Sequence, residues 1–158
     1  PFEDVLIDVI GPQGASGAYF VMDDALQERL IVDADIGICS DGSPTGFHPR
    51  GHGTFATIIE DYVVEREVLT LPEAVRKMTS FAAEILGIPD RGVLRAGMKA
   101  DLLVFDPAKV KALATYPEPL QLAEGFDLVV VNGRVAREDG RLADGRFGQV
   151  LRPASAAD

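Results

Sequence analysis

The chain has few of the residues that cross-link a protein or anchor it in a membrane. It has one cysteine, Cys39, so no internal disulfide can form, and its position in a short apolar run predicts a small core residue. No apolar run approaches the ~20 residues that a membrane-spanning helix needs, and no basic, apolar secretory leader is visible. We therefore expect no membrane association and a cytoplasmic location.

Basic residues are also scarce relative to acidic ones. The 15 Lys and Arg residues face 25 Asp and Glu residues, which gives a formal net charge of −10. Such a surface repels nucleic-acid phosphates and anionic lipid headgroups, so both are excluded as non-specific partners. Hydrophobic residues make up 47% of the 158 residues, enough to bury the core of a soluble domain.

The first half of the sequence alternates between helical and strand patterns. Apolar spacing predicts helices over residues 2–10, 54–67 and 71–86, and compact apolar runs predict strands over 18–22 and 36–39. Thr70 and Glu73 form a capping-box signature at the start of the helix over 71–86. This alternation is typical of an α/β fold with parallel strands, but two strands cannot close a barrel. Residues 1–90 are therefore predicted to be the end of a larger α/β domain.

The last third of the sequence is β-rich. A strand is predicted over residues 101–105, and two more over 127–137 are joined by Asn132-Gly133, the signature of a type I′ hairpin turn. These strands are too few for a complete sandwich. Residues 91–152 are therefore predicted to add strands to a sheet begun elsewhere, and residues 153–158 to form a disordered tail.

Candidate chemistry is concentrated between residues 37 and 53. Asp41 lies just past the end of the strand predicted over 36–39, where parallel sheets carry their functional groups. His48, Arg50 and His52 follow within the same loop, although an Asp-Gly pair is also an ordinary turn. The histidines have the i, i+4 spacing of helical zinc pairs, but the intervening Pro49 and neighbouring glycines are poor helix residues. The spacing alone therefore does not predict a metal site.

Three blocks of this sequence resemble the amidohydrolase superfamily, and within it the D-aminoacylase (N-acyl-D-amino-acid deacylase) family. The blocks are SDGSP with HPRGHGTF at 40–55, PEAVRKMTSFAAEILG at 72–87, and RGVLRAGMKADLLVFDP with VVVNGRV from 91 to 135. The second and third are widespread in the superfamily, whereas the first is characteristic of the deacylase branch. The resemblance implies a (β/α)8 barrel with a small β-sandwich domain. This chain would hold the last barrel strands and helices and the C-terminal sandwich strands.

The resemblance also implies a site and a reaction. Asp41 matches the family's proton carrier, Arg50 the group that binds the substrate carboxylate, and Met22 a residue of the acyl pocket. We expect Ser43 to contact the substrate as well, and His48 to support the loop. Zinc is implied for the full-length enzyme, with its ligands on earlier barrel strands, so this chain alone is expected to bind none and to be inactive.

Two alternatives remain open from the sequence. The same fold could serve a cyclic-amide hydrolase of the dihydroorotase or hydantoinase kind instead of a deacylase of small N-acyl amino acids. The chain could also be a non-catalytic α+β module. Apolar surface that is normally covered by other strands would then favour a homo-oligomer, or association with the remaining N-terminal portion of the protein.

Overall fold

The structure, a computed structural model, describes residues 2–5, 8, 21–43 and 45–153. Of the helix predicted over residues 2–10, Phe2–Asp4 is helical (α1) and part of the remainder lies outside the described residues. Most of the strand predicted over 18–22 also lies outside them, and Val21 and Met22 are not in a strand. Residues 154–158 of the predicted tail are likewise outside the description.

Helices make up most of the described chain before residue 90. They are α1, α2 (Asp24–Val32), α3 (Arg50–Thr57), a π-helix (Ile58–Glu65) that continues α3, α4 (Leu71–Met78) and α5 (Ser80–Ile85). The Thr70 half of the predicted capping box is confirmed, since the side chain of Thr70 accepts a hydrogen bond from the backbone N–H of Glu73 at 3.4 Å. The Glu73 carboxylate binds Arg76 instead. In the part of the chain that the structure describes, no helix combines the length and apolar character of a membrane span.

The single helix predicted over residues 71–86 is wrong, because it is interrupted at Thr79. The backbone of Thr79 leaves helical geometry, with φ −132° and ψ −89°. Its hydroxyl donates to the carbonyl of Val75 at 2.6 Å, the i−4 contact by which threonine competes with helical hydrogen bonding. Two short helices, α4 and α5, therefore replace one long helix.

The strand predicted over residues 36–39 is also wrong. A strand requires a neighbouring ladder, and no strand pairs with this segment within the described ranges. Its contact is instead with a helix, because the N–H of Ile38 donates to the carbonyl of Lys77 at 3.4 Å. Cys39 is exposed rather than in the core, since no neighbouring strand covers it. The prediction that residues 1–90 are the end of a larger α/β domain stays a prediction.

The second half forms a four-stranded antiparallel sheet in the order β1-β2-β3-β4. The strands are β1 (Leu102–Phe105), β2 (Phe126–Val131), β3 (Arg134–Glu138) and β4 (Arg141–Leu142). The predicted hairpin is confirmed: Asn132 and Gly133 have φ values of 50° and 75°, the paired positive angles of a type I′ turn. Their membership of a β-sandwich stays a prediction, and so does the domain boundary near residue 90.

One core cluster joins the helices to the strand region. Ala56 of α3 and Ile59 of the π-helix pack against Val110, which lies between β1 and β2 and is only 1% exposed. A second cluster, built from Ile58, Tyr62, Leu69 and Ala74, lies between the π-helix and α4. The segment after β1 therefore packs on the same continuous helix that begins at Arg50.

Among the described residues, Lys77 is a charged residue that is fully buried. Its side chain is 0% exposed, and its Nζ donates to the carbonyl of Asp33 at the end of α2. The adjacent Arg76 donates to the carbonyl of Ala34 at 2.7 Å. Together with the bond from Ile38, these contacts fix the segment before Asp41 against α4.

We expect a specific alkaline dependence of stability from Lys77. Burial lowers the pKa of its ammonium below the ordinary 10.5, so the folded chain loses this proton before the unfolded chain does. Between the lowered pKa and 10.5 the unfolded state binds more protons, and the free energy of unfolding rises with pH. Below that interval Lys77 contributes no slope.

Urea unfolding at a series of pH values, with Lys77→Met as the reference, isolates this contribution. The wild-type free energy of unfolding should rise relative to that of Lys77→Met as pH approaches 10.5, then level off. A difference that stays constant over the whole alkaline range would contradict the assignment.

Candidate active-site loop

Asp41 and Arg50, the two residues central to the predicted chemistry, contact each other. The Nη2 of Arg50 lies 2.9 Å from Oδ2 of Asp41, and its Nε donates to the backbone carbonyl of Asp41 at 3.1 Å. Arg50 is the first residue of α3, whereas Asp41 lies in the loop that leads to it. A carboxylate and a guanidinium nine residues apart are therefore held together at the helix start.

Two glycines and an unusual backbone angle allow this contact. A Cβ at Gly42 would lie 3.0 Å from the Cα of Gly51, so the residues that follow Asp41 and Arg50 touch through their backbones. Asp41 itself has φ 46°, in the left-handed region that few non-glycine residues adopt. Strained angles of this kind cluster at functional sites.

His48 links the loop to a distant part of the chain. Its Nδ1 accepts a hydrogen bond from the backbone N–H of Arg50 at 3.1 Å, which satisfies one of the unpaired donors at the start of α3. Its Nε2 lies 3.5 Å from the hydroxyl of Tyr116, and the two rings meet edge-on with centroids 5.1 Å apart. Sequence reasoning missed Tyr116, because nothing in its neighbourhood of prolines marks it as a site residue.

Ser43 and Met22 are the two other residues predicted to contact the substrate. The hydroxyl of Ser43 lies 3.2 Å from that of Thr45. Met22 is 62% exposed and directly precedes Asp23, the cap of α2. No hydrogen bond or ion pair among the described residues joins either side chain to Asp41 or Arg50. Their contacts with substrate stay predictions.

His52 lies in a helix, which the sequence did not predict. The helix predicted to begin near residue 54 begins at Arg50 and includes both Gly51 and Gly53. Gly53 is buried, and a Cβ there would lie 3.5 Å from the Cβ of Ala114, so helical packing outweighs the low helix propensity of glycine. His52 itself is exposed on this helix.

The loop does not assemble a metal site. Across residues 2–5, 8, 21–43 and 45–153, no group of three or more His, Cys, Asp or Glu side chains is placed to hold a metal ion. A catalytic zinc site takes about three protein ligands and an open position. The described residues therefore do not fit a resident metal, and the chemistry they offer is a carboxylate paired with a guanidinium.

Comparison with known proteins places the chain in a family. The family model described as "Amidohydrolase family" matches residues 2–137. An N-acyl-D-aspartate deacylase from Alcaligenes xylosoxydans xylosoxydans is 40% identical over 156 residues, covering 98% of this chain. The chain spans only 31% of the length of that relative.

Solved structures give the same placement. The crystal structure of D-aminoacylase matches with a TM-score of 0.80 and 38% identity, over 85% of this chain and 29% of that one. An N-acyl-D-glutamate deacylase from Bordetella bronchiseptica, complexed with zinc and a phosphonate mimic of the tetrahedral intermediate, matches with a TM-score of 0.77 and 40% identity. The match covers 85% of this chain and 28% of the N-acyl-D-glutamate deacylase chain. With its sequence, its fold and its mixture of helices and strands all in agreement, the chain belongs to the amidohydrolase family.

Proposed function

We propose that this chain is the C-terminal part of a metal-dependent amidohydrolase that hydrolyses the amide bond of N-acyl-D-amino acids. In this proposal residues 1–90 contribute the last elements of a (β/α)8 barrel, and residues 91–152 contribute strands of a β-sandwich domain. The metal, expected to be zinc, is bound by ligands outside this chain, in the longer protein that we call the complete enzyme. Association with that remaining portion is part of the proposal.

The Asp41–Arg50 pair is the observation that carries this proposal. The side chains of Arg50 and Asp41 are 48% and 78% exposed, and exposed ion pairs contribute only about 0–1 kcal/mol to stability. The loop nevertheless holds Asp41 at a positive φ and brings two glycine backbones into contact to place the pair. Because little stability results, the arrangement is better explained by a function in the reaction.

Asp41 is proposed to carry the proton that amide hydrolysis requires. A carboxylate can accept a proton from the attacking water and return it to the nitrogen of the leaving amine as the C–N bond breaks. Asp41 is suited to this because its carboxylate is exposed at the start of the loop rather than buried in a helix. The adjacent guanidinium keeps a positive charge beside it throughout.

Arg50 is proposed to bind the carboxylate of the substrate. Its guanidinium has five N–H donors, and the contacts to Asp41 use two of its nitrogens, Nε and Nη2. The planar fork can therefore present a further donor edge to a second carboxylate in bidentate fashion, which a lysine ammonium cannot reproduce. Substrates with a free α-carboxylate, such as N-acyl amino acids, fit this group.

In the complete enzyme, Arg50→Lys should raise KM for N-acyl-D-amino acids by about tenfold to a hundredfold, the value of one charge-assisted hydrogen bond of 1.5–3 kcal/mol. The change should fall mainly on KM, because the lost contact is made in the ground state as well as in the transition state. Steady-state kinetics with the N-acyl amino acid and with its carboxamide analogue test this. An equal loss for both substrates would contradict carboxylate binding by Arg50.

The proposed function itself is tested by substrate choice. Purified complete enzyme is assayed with N-acetyl derivatives of D- and L-amino acids and with the cyclic amides dihydroorotate and hydantoin. We expect hydrolysis of the D-enantiomers, with little turnover of the L-enantiomers. Turnover restricted to the cyclic amides would replace the proposal with the cyclic-amide alternative, and no turnover of any amide would overturn both.

A further inference from the structure

Resting on the proposed function, we infer that Tyr116 is a positioning residue of the substrate-carboxylate site, acting on Arg50 through His48. Tyr116 belongs to the segment that connects β1 to β2, which we call the arm (residues 110–124). The arm comes from the strand region, 68 residues beyond His48 in sequence. Its tip nevertheless reaches the loop that holds the Asp41–Arg50 pair.

Backbone hydrogen bonds hold the arm together at two places, which we call its base and its tip. At the base, Lys111 and Glu124 exchange backbone hydrogen bonds of 3.2 Å and 3.0 Å, which form an isolated antiparallel bridge. At the tip, the N–H of Thr115 donates to the carbonyl of Glu118 at 3.1 Å. Tyr116 lies within this turn, so its position is fixed by the backbone of the arm.

Glu60 of the π-helix fastens the arm to the helix that begins at Arg50. Its carboxylate accepts hydrogen bonds from the Nζ of Lys111 at 2.6 Å and from the backbone N–H of Ala112 at 2.8 Å. Burial opposes the ionisation of Glu60, but these two donors outweigh it and lower its pKa, so the carboxylate stays charged at neutral pH. Val110 lies buried beside this anchor, between Ala56 and Ile59.

From this anchor the arm follows the helix back towards its start. Ala114 packs against Gly53, where a Cβ on the glycine would be 3.5 Å from the Cβ of Ala114. Two residues later Tyr116 meets His48 edge-on. The contacts thus proceed from the π-helix to the first residue of α3, and the arm ends at the side chain that touches Arg50.

The hydrogen bonds of His48 determine how Tyr116 acts on Arg50. Because Nδ1 of His48 accepts from the N–H of Arg50, the proton of the neutral ring is on Nε2, which faces the hydroxyl of Tyr116. The N–H of Arg50 therefore fixes the tautomer of His48, while the edge-on contact with Tyr116 holds its ring plane. His48 in turn fixes the first N–H of α3, and hence the direction in which the Arg50 side chain leaves the helix.

Kinetics of the complete enzyme test this positioning role. Tyr116→Ala should raise KM for an N-acyl-D-amino acid about tenfold, while kcat and the KM for its carboxamide analogue change less than twofold. Tyr116→Phe keeps the ring contact and should give an intermediate rise. Tyr62→Phe is the matched control, since it removes a hydroxyl that accepts from Gln27 at 3.2 Å in the other core cluster. An effect of Tyr116→Ala on kcat alone, or none, would overturn the inference.

The two contacts of His48 can be tested separately. His48→Asn keeps an acceptor near the position of Nδ1 but cannot reach Tyr116, whereas His48→Gln keeps the reach without the local acceptor. If Tyr116 acts through His48, adding Tyr116→Ala to His48→Asn should raise KM no further. Independent, additive increases would contradict action through His48.

A measurement that needs no turnover separates this inference from the proposed function. In nitrogen-15 NMR spectra of the 158-residue chain, Tyr116→Phe should move the ring resonances of His48 and the amide of Arg50. Unchanged resonances would overturn the inference even if the complete enzyme is a deacylase. Changed resonances without any deacylase activity would support the contact and defeat the proposed function.

Discussion

Asp41→Asn should reduce kcat of the complete enzyme about a hundredfold to ten-thousandfold, the usual contribution of a positioned general acid–base group. Asparagine has nearly the shape of aspartate and tolerates the left-handed backbone that Asp41 adopts at φ 46°. The substitution therefore removes the ability to accept and return a proton without disturbing the loop. Because the lost ion pair is exposed, the free energy of unfolding should change by less than about 1 kcal/mol.

The matched control is Asp139→Asn. Asp139 also has φ 46°, is exposed, and lies in the turn between β3 and β4, away from the loop. Asp139→Asn should leave kcat unchanged. The comparison therefore separates the loss of any exposed carboxylate from the loss of the Asp41 carboxylate. If Asp41→Asn retained kcat within about threefold, Asp41 would not be the proton carrier and the carboxylate would be assigned to the turn alone.

Gly125→Ala should lower the free energy of unfolding by about 2–5 kcal/mol, the sum of overpacking and left-handed strain and the largest effect that we expect from a single methyl group. A Cβ at Gly125 would lie 2.5 Å from the carbonyl carbon of Lys109 and 2.6 Å from the Cα of Val110, and would also overlap the Lys109 oxygen. These are backbone atoms at the base of the arm, next to a residue that is 1% exposed, so they cannot move aside cheaply. The whole free energy of unfolding of a small domain is about 5–15 kcal/mol.

Gly97→Ala is the control for Gly125→Ala, because it separates the clash from backbone strain. Gly97 has φ 89° against 86° for Gly125, but nothing lies within 4 Å of the Cβ position at Gly97. Its substitution should therefore cost only the left-handed strain of about 1–2 kcal/mol. Urea denaturation of both variants measures the difference. Equal losses would mean that the close packing of Gly125 against residues 109–110 contributes nothing.

Local signals in the sequence predicted those elements that depend on neighbouring residues alone. The cap at Thr70 and the Asn132-Gly133 hairpin are confirmed because each is set by a side chain or a backbone angle within a few residues. The break at Thr79 was missed because the apolar spacing continues through it. Only the hydroxyl contact to Val75 reveals that threonine competes with the helix there.

Features that depend on distant partners could not be predicted. Residues 36–39 have a strand composition, but no strand pairs with them among the described residues, so the segment packs on α4 and Cys39 is exposed. Asp41 and Arg50, chosen from the loop sequence, are in contact, and their roles as site residues stay predictions. Tyr116 was missed because its role arises from the arm, which reaches His48 from 68 residues away.

The central claim is that this chain supplies the proton carrier and the carboxylate-binding group, whereas the metal ligands belong to another part of the enzyme. It is tested most directly by zinc content. The purified 158-residue chain is dialysed against metal-free buffer, and zinc per chain is measured by mass spectrometry. The account predicts a value close to zero. About one tightly held zinc per chain would mean that Asp41, His48 and His52 rearrange into a metal site of their own, and would contradict it.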